Sequence, residues 1–272
     1  MIKRGDAGTI DGSERDGGFD VDHKVIGTTM PVLEMTLAPG ESVVAEAGEL
    51  SWMTASIQLQ TAAGGKAGAK SVFGAVKRAV SGGSFFMTEY TADGTEGMVA
   101  FATKVPGQIL QMDLVEGAPY MVHRGGYLCG VPSVNLEIGF QQKLGAGLFG
   151  GAGFILQKVS GTGPAWIELD GEVVEYELAA GETWRVHPGH VGMFEASVSF
   201  ELDRIKGIKN MVFGADGIFL ARLTGPGKIW LQTMPLPNLA GALAPYLAHD
   251  QADSNSGSRF SIGNLGNMLG DS

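Results

Sequence analysis

Cysteine is almost missing from this chain: Cys129 stands alone among 272 residues. No intramolecular disulfide can form from it, and no cysteine-based metal site can be assembled. Charge is scarce as well, at 18% of residues, and what there is leans acidic, with 29 Asp and Glu against 19 Lys and Arg. A net charge of −10 argues against a nucleic-acid partner, because phosphate-backbone affinity rests on clustered Lys and Arg. No uninterrupted apolar run reaches the roughly 18 residues of a membrane-spanning helix. The start of the chain, MIKRGDAGTIDGSERDGG, has no apolar core and is not expected to act as a secretory signal. Together these absences lead us to expect a cytoplasmic protein.

Glycine, by contrast, is abundant: 43 glycines against 11 prolines, without the strict period of collagen. Their placement is ordered. Residues 37–50 read LAPGESVVAEAGEL, 114–127 read LVEGAPYMVHRGGY, and 178–191 read LAAGETWRVHPGHV. All three fit L-x2-G-x7-G, with glycine pairs Gly40/Gly48, Gly117/Gly125 and Gly181/Gly189. The match continues at fixed offsets through an [AP]-S-[IV]-x-[LF] segment at Ala55, Pro132 and Ala196 and a Phe-Gly pair at Phe73, Phe149 and Phe213. An apolar run follows at 84–91, 153–160 and 217–224. In copies two and three it leads through a Gly-rich turn to Trp166 and Trp230. The offset is 77 residues from Leu37 to Leu114 and 64 from Leu114 to Leu178, so the first copy is longer by 13.

The copies read as strands. Met35-Thr36-Leu37, Met112-Asp113-Leu114 and Tyr176-Glu177-Leu178 alternate with period two. Pro39-Gly40, Pro106-Gly107 and Pro188-Gly189 carry the type II turn pattern, and Asp170-Gly171 is a hairpin signal. Short strands punctuated this often predict an all-β sandwich or barrel. The expected organisation is a flexible leader at 1–18 and one triplicated β-domain at 19–248. Its repeats fall at about 19–97, 98–163 and 164–233, with a helical cap to 248 and a flexible tail at 249–272.

Two segments stand outside the repeat. In GAKSVFGAVKRAVSGGS (68–84), Val72, Phe73 and Val76 fall on one face, with Lys77 and Arg78 beside them. That is a short amphipathic basic helix, suited to capping a β-layer or to touching an anionic membrane surface or a partner. Further on, Leu239, Leu243 and Leu247 are spaced for a short helix bounded by Pro237 and interrupted at Pro245.

Candidate chemistry is thin. Gly145-Ala146-Gly147-Leu148-Phe149-Gly150 formally matches GxGxxG, but a β-type run follows where a dinucleotide site needs a helix. Glu46, His123 and His187 occupy equivalent repeat positions, six after the first glycine. Facing a common axis they would form a two-histidine, one-carboxylate metal set; on outward faces they are a scattered trio. No nucleophile elbow, phosphate loop or zinc spacing is present. The expectation is a protein without cofactor or catalytic residues.

The segment SGGSFFMTEYTA, the FGGAGFILQKVSGTG run and TGPGKIWLQTMPLPNLAGALAPYL resemble the altered-inheritance-of-mitochondria family. The resemblance covers roughly residues 19–248. It implies a short double-stranded β-helix, similar to that of the tryptophan-activated RNA-binding attenuation protein, three times per chain. It further implies homotrimers whose nine modules close into a ring, and a link to membrane organisation in mitochondrial members. It carries over no catalytic residue. The functional expectation is a non-enzymatic oligomeric scaffold or binding protein, peripheral to a membrane. Its alternatives are a ring module for a small molecule or RNA, using Trp166 and Trp230, and a metal-dependent enzyme using Glu46, His123 and His187.

Overall fold

The computed structural model describes residues 21–63, 86–142, 153–205 and 218–247. The proposed basic helix with Val72, Phe73, Val76, Lys77 and Arg78, the three Phe-Gly pairs, the leader at 1–18 and the tail at 249–272 lie outside these residues. What is described is mostly β, in antiparallel sheets, with one short α-helix.

The strands fall into three blocks. Block one holds β1 (Asp22–Ile26), β2 (Val32–Leu37), β3 (Ser42–Glu46), β4 (Trp52–Met53), β5 (Ile57–Ala63), β6 (Phe86–Ala92) and β7 (Gly97–Ala102). Block two holds β8 (Gly107–Leu114), β9 (Tyr120–His123), β10 (Tyr127–Gly130), β11 (Asn135–Gln142), β12 (Phe154–Ser160) and β13 (Gly163–Asp170). Block three holds β14 (Val173–Leu178), β15 (Thr183–Val186), β16 (Val191–Glu195), β17 (Ser199–Ile205), β18 (Ile218–Thr224) and β19 (Gly227–Gln232).

The same pairings recur in each block. The first main strand pairs with the last, as β2–β7, β8–β13 and β14–β19. The last also pairs with β4, β10 or β16. The second main strand pairs with the fifth, as β3–β6, β9–β12 and β15–β18, and the fifth with the fourth, as β5–β6, β11–β12 and β17–β18. Pairing therefore closes the blocks at Ala102 and Asp170, later than the sequence boundaries at 97 and 163. The strand after the Gly-rich turn returns to its own block's first main strand instead of opening the next block.

Blocks join edge to edge. β3 of block one pairs with β10 of block two, and β9 of block two with β16 of block three. Each join fuses two three-stranded halves into a six-stranded sheet, in the orders β5-β6-β3-β10-β13-β8 and β11-β12-β9-β16-β19-β14. Two halves remain: β1-β2-β7-β4, ending on β4, and β15-β18-β17, ending on β15.

The core follows from alternation. Leu33, Met35 and Leu37 of β2 are buried, and the Met35 thioether meets the Cys129 thiol of block two at 3.6 Å. One block's first main strand is thus covered by the next block. Trp166 and Trp230 are both buried and occupy equivalent registers, opposite Cys129 and Met193.

The repeated glycines turn the chain where the pattern placed them, with one exception. Gly40, Gly117 and Gly181 have φ of 83°, 80° and 79°, in the left-handed region that side chains other than glycine's avoid. Gly48 and Gly125 are also left-handed. Gly189 is not, because Pro188–His190 winds into a 3-10 turn with Pro188 at its start. Gly107 likewise departs from a type II turn: it opens β8, where a Cβ would lie 2.2 Å from the Leu169 carbonyl oxygen. Asp170-Gly171 does turn with Gly171 left-handed, but it is no hairpin, since β13 and β14 belong to different sheets. Nothing lies within 4 Å of a Cβ built on Gly40, so only the backbone opposes a side chain there. Gly40→Ala should cost about 1 kcal/mol, read as a lowered urea midpoint at constant slope; an unchanged midpoint would refute the conformational role.

The described β-strands lie in one compact unit ending at Pro237, and residues from Asn238 onward form a second. Helix α1 (Leu236–Leu247) runs through Pro245 instead of breaking there. Pro237 stands at the helix start, where no intrahelical N–H bond is due, and Pro245 forfeits one bond in the last turn.

Candidate functional site

The polar side chains that the strands carry inward collect at the block joins. At the first join, Glu49 and Glu168, both buried, share the ammonium of Lys104. Lys104 Nζ pairs with Glu49 Oε1 and lies 3.5 Å from Glu168 Oε1. Glu49 Oε2 is buried without a partner. Beside them Gln157, fully buried, donates from Nε2 to Glu46 Oε2 at 3.0 Å and accepts the Tyr127 N–H at 3.4 Å. Burial lifts the Glu46 carboxyl above its ordinary range, and the Gln157 bond opposes the rise. Burial lifts Glu168 to about 7, against the pull of Lys104 and with the push of Glu49 and Asp170. Burial alone would lower the Lys104 ammonium, but its bond to Glu49 and the two carboxylates outweigh it and the net shift is upward.

At the second join the same positions hold different groups. Gln232 stands where Glu168 stood: its Oε1 accepts the Asp170 N–H at 3.0 Å, and its Nε2 donates to the Gly189 carbonyl at 3.0 Å. His190 Nδ1 lies 2.8 Å from the Gln232 carbonyl oxygen. Asp170 replaces Lys104 and Gly126 replaces Glu49. The missing side chain admits the His123 ring, which a Cβ on Gly126 would meet at 2.7 Å. His123 Nε2 lies 3.2 Å from the Glu168 carbonyl oxygen. Burial lowers the pKa of His123 and raises that of Asp170, and each group's charge opposes the other's shift.

Beside these groups at the second join lies a cavity of about 200 Å³. His123, Arg124, Asp170 and Gln232 supply its polar lining, and Phe154 and Val191 part of its apolar wall. Arg124 is exposed and makes no salt bridge among the described residues.

Glu46, His123 and His187 do not come together. Each takes a separate partner: Glu46 holds Gln157, His123 faces the Glu168 carbonyl, and His187 Nδ1 accepts the Gly189 N–H at 3.3 Å. Among the described residues no group of three His, Cys, Asp or Glu side chains is placed to hold a metal ion. Glu46 ends the joining strand β3, His123 the joining strand β9, and His187 follows the edge strand β15, so the equivalent positions do not surround one point and the trio disperses. Sequence spacing missed Glu49, Lys104, Glu168 and Asp170. Glu49 aligns with Gly126 and His190 by repeat spacing alone, but the equivalence of Glu168 with Gln232 and of Lys104 with Asp170 shows only once pairing has aligned β7, β13 and β19.

No described helix is long and apolar enough to cross a membrane. An uncharacterised protein of Streptococcus pyogenes serotype M6 is 29% identical over 222 residues, covering 80% of this chain and 87% of that one. A crystal structure of a Streptococcus pyogenes protein superposes with a TM-score of 0.66 at 23% identity, over 84% of this chain and the whole of the other. At that identity the likeness is one of fold alone. Residues 23–234 match the mitochondrial biogenesis AIM24 family, and the chain belongs to that family.

Proposed function

We propose that this protein is a non-enzymatic building block that associates with copies of itself, as a homotrimer, and serves as a scaffold or binding platform at a membrane surface. The observation that supports this reading is the use made of the inward polar groups. Glu46, Glu49, Lys104, Gln157, Glu168 and Gln232 hold neighbouring blocks of one chain together. A solution mass from light scattering tests it, with a multiple of the 28.4 kDa chain expected. A mass of one chain at micromolar concentration would defeat it. The membrane part rests on the basic residues Lys77 and Arg78. Flotation with anionic liposomes should carry the wild-type protein and lose Lys77→Glu/Arg78→Glu; equal flotation of both would remove that part.

The cavity at the second join favours a second reading, a small-molecule site. An anionic group would meet the Arg124 guanidinium, and an apolar body would lie on Phe154 and Val191. With benzoate as probe, saturation-transfer NMR should give a signal that Arg124→Ala abolishes. No signal, or the same signal from both proteins, would end this reading.

A further inference from the structure

We infer that the cavity at the second join takes an apolar amino acid of about leucine's size. Its ammonium sits on the Asp170 carboxylate, its carboxylate on Arg124, and its side chain on Phe154 and Val191. This rests on the small-molecule reading of that cavity and names the ligand class. The first join shows what such a place needs. There Glu49 and Lys104 of block one meet Glu168 of block two, so two buried carboxylates share an ammonium that the chain itself supplies. Repeat spacing and strand pairing put Gly126, Asp170 and Gln232 at the same three positions of the second join. That set holds a carboxylate and no cation.

Asp170 is only 6% exposed, and it makes no salt bridge among the described residues. A buried carboxylate is costly unless it is paired and hydrogen-bonded. The Leu236 N–H fills one of its roughly four acceptor sites. His123 does not serve as the cation, because burial lowers its pKa and its Nε2 lies against the Glu168 carbonyl oxygen. Gln232 is spent on the Asp170 N–H and the Gly189 carbonyl. Asp170 is therefore the acceptor with capacity left for a ligand, and a primary ammonium brings it both donors and the missing charge. A simple amine would leave Arg124 unused, and a simple acid would leave Asp170 unpaired. A zwitterion serves both and adds no net charge. Its size follows from the volume: about 200 Å³ falls below the roughly 300–1,000 Å³ of sites for drug-sized ligands.

Saturation-transfer NMR titrations at pH 8 test this with two probes that differ only in the ammonium, L-leucine and 4-methylpentanoate. L-leucine should bind the wild-type protein about tenfold more tightly, the worth of one charge-assisted hydrogen bond. Asp170→Asn keeps the shape and an oxygen for the Leu236 N–H but loses the charge, and it should remove this preference. The wild-type comparison stands even where that variant fails to fold. If neither benzoate nor L-leucine gives a signal, the small-molecule reading and this inference fall together. If benzoate gives a signal and L-leucine gives none, the inference falls alone. It also falls alone if L-leucine binds no more tightly than 4-methylpentanoate, or if its preference survives in Asp170→Asn.

Discussion

Lys104→Met should destabilise the protein by roughly 2–4 kcal/mol at pH 7. Removing one partner of a buried ion pair costs about 3–5 kcal/mol because an uncompensated charge stays behind. The Lys104 side chain is 47% exposed, which trims that figure. What remains after the substitution is the costly part: two carboxylates, each 6% exposed, face one another with no cation. Glu49 already has one oxygen buried without a partner, so it has no reserve to draw on. The deficit should shrink on acidification, as protonation removes the repulsion. Glu49→Gln added to Lys104→Met should recover more than half of the loss at pH 7, because the amide carries no charge. Urea unfolding at fixed protein concentration measures all of this. A single variant within about 0.5 kcal/mol of the wild type, the low end of what one hydrogen bond contributes, would show that Lys104 is a surface charge and not the tie between blocks one and two.

Why that tie escaped the sequence is instructive. Glycine positions are legible because φ is a local property: Gly40, Gly117 and Gly181 needed only their neighbours to be placed, and all three are left-handed. Gly189 has the same spacing, yet the proline before it selects a 3-10 turn. Asp170-Gly171 reads correctly as a turn but wrongly as a hairpin, since which strands pair is decided by distant residues. The equivalence of Glu46, His123 and His187 is legible too, but which way each one faces is not, and the joins separate them. Glu49, Lys104 and Glu168 lie far apart in sequence and share no spacing motif. One signal existed. In GPAWIELD every residue after the first is buried, and carboxylates inside so apolar a strand require partners. Finding the partner required the fold.

Glu168→Gln should raise stability at pH 7 and above and flatten its dependence on pH. The folded Glu168 carboxyl titrates at about 7, against an ordinary value of 4.5, chiefly because it is buried. Between those two values the folded chain binds more protons at this site than the unfolded chain. Stability therefore falls as pH rises from 4.5 through 7, then levels off, by on the order of 3 kcal/mol. Glutamine has no proton to lose and removes this slope. At pH 4 the two proteins should be equally stable; at pH 8 the variant should lead by up to that amount. Asp170, whose charge helps to raise Glu168, is freed of that repulsion in the variant; Glu46, whose pKa is raised, and His123 and His187, whose values are lowered, act alike in both proteins. Their contributions leave the difference between the two curves unchanged. The substitution is one the molecule already contains, because Gln232 fills the equivalent place and accepts the Asp170 N–H. Glu168 takes the Lys104 N–H in the same way, so the amide fits the same bond. Urea midpoints from pH 4 to 8 give the two profiles directly. Parallel curves would mean that Glu168 stays ionised throughout, with Lys104 neutralising it in full. The wild-type protein keeps a carboxylate where glutamine would be more stable, so its first join loosens as pH rises through neutrality, a change that Gln232, in the same place at the second join, cannot undergo.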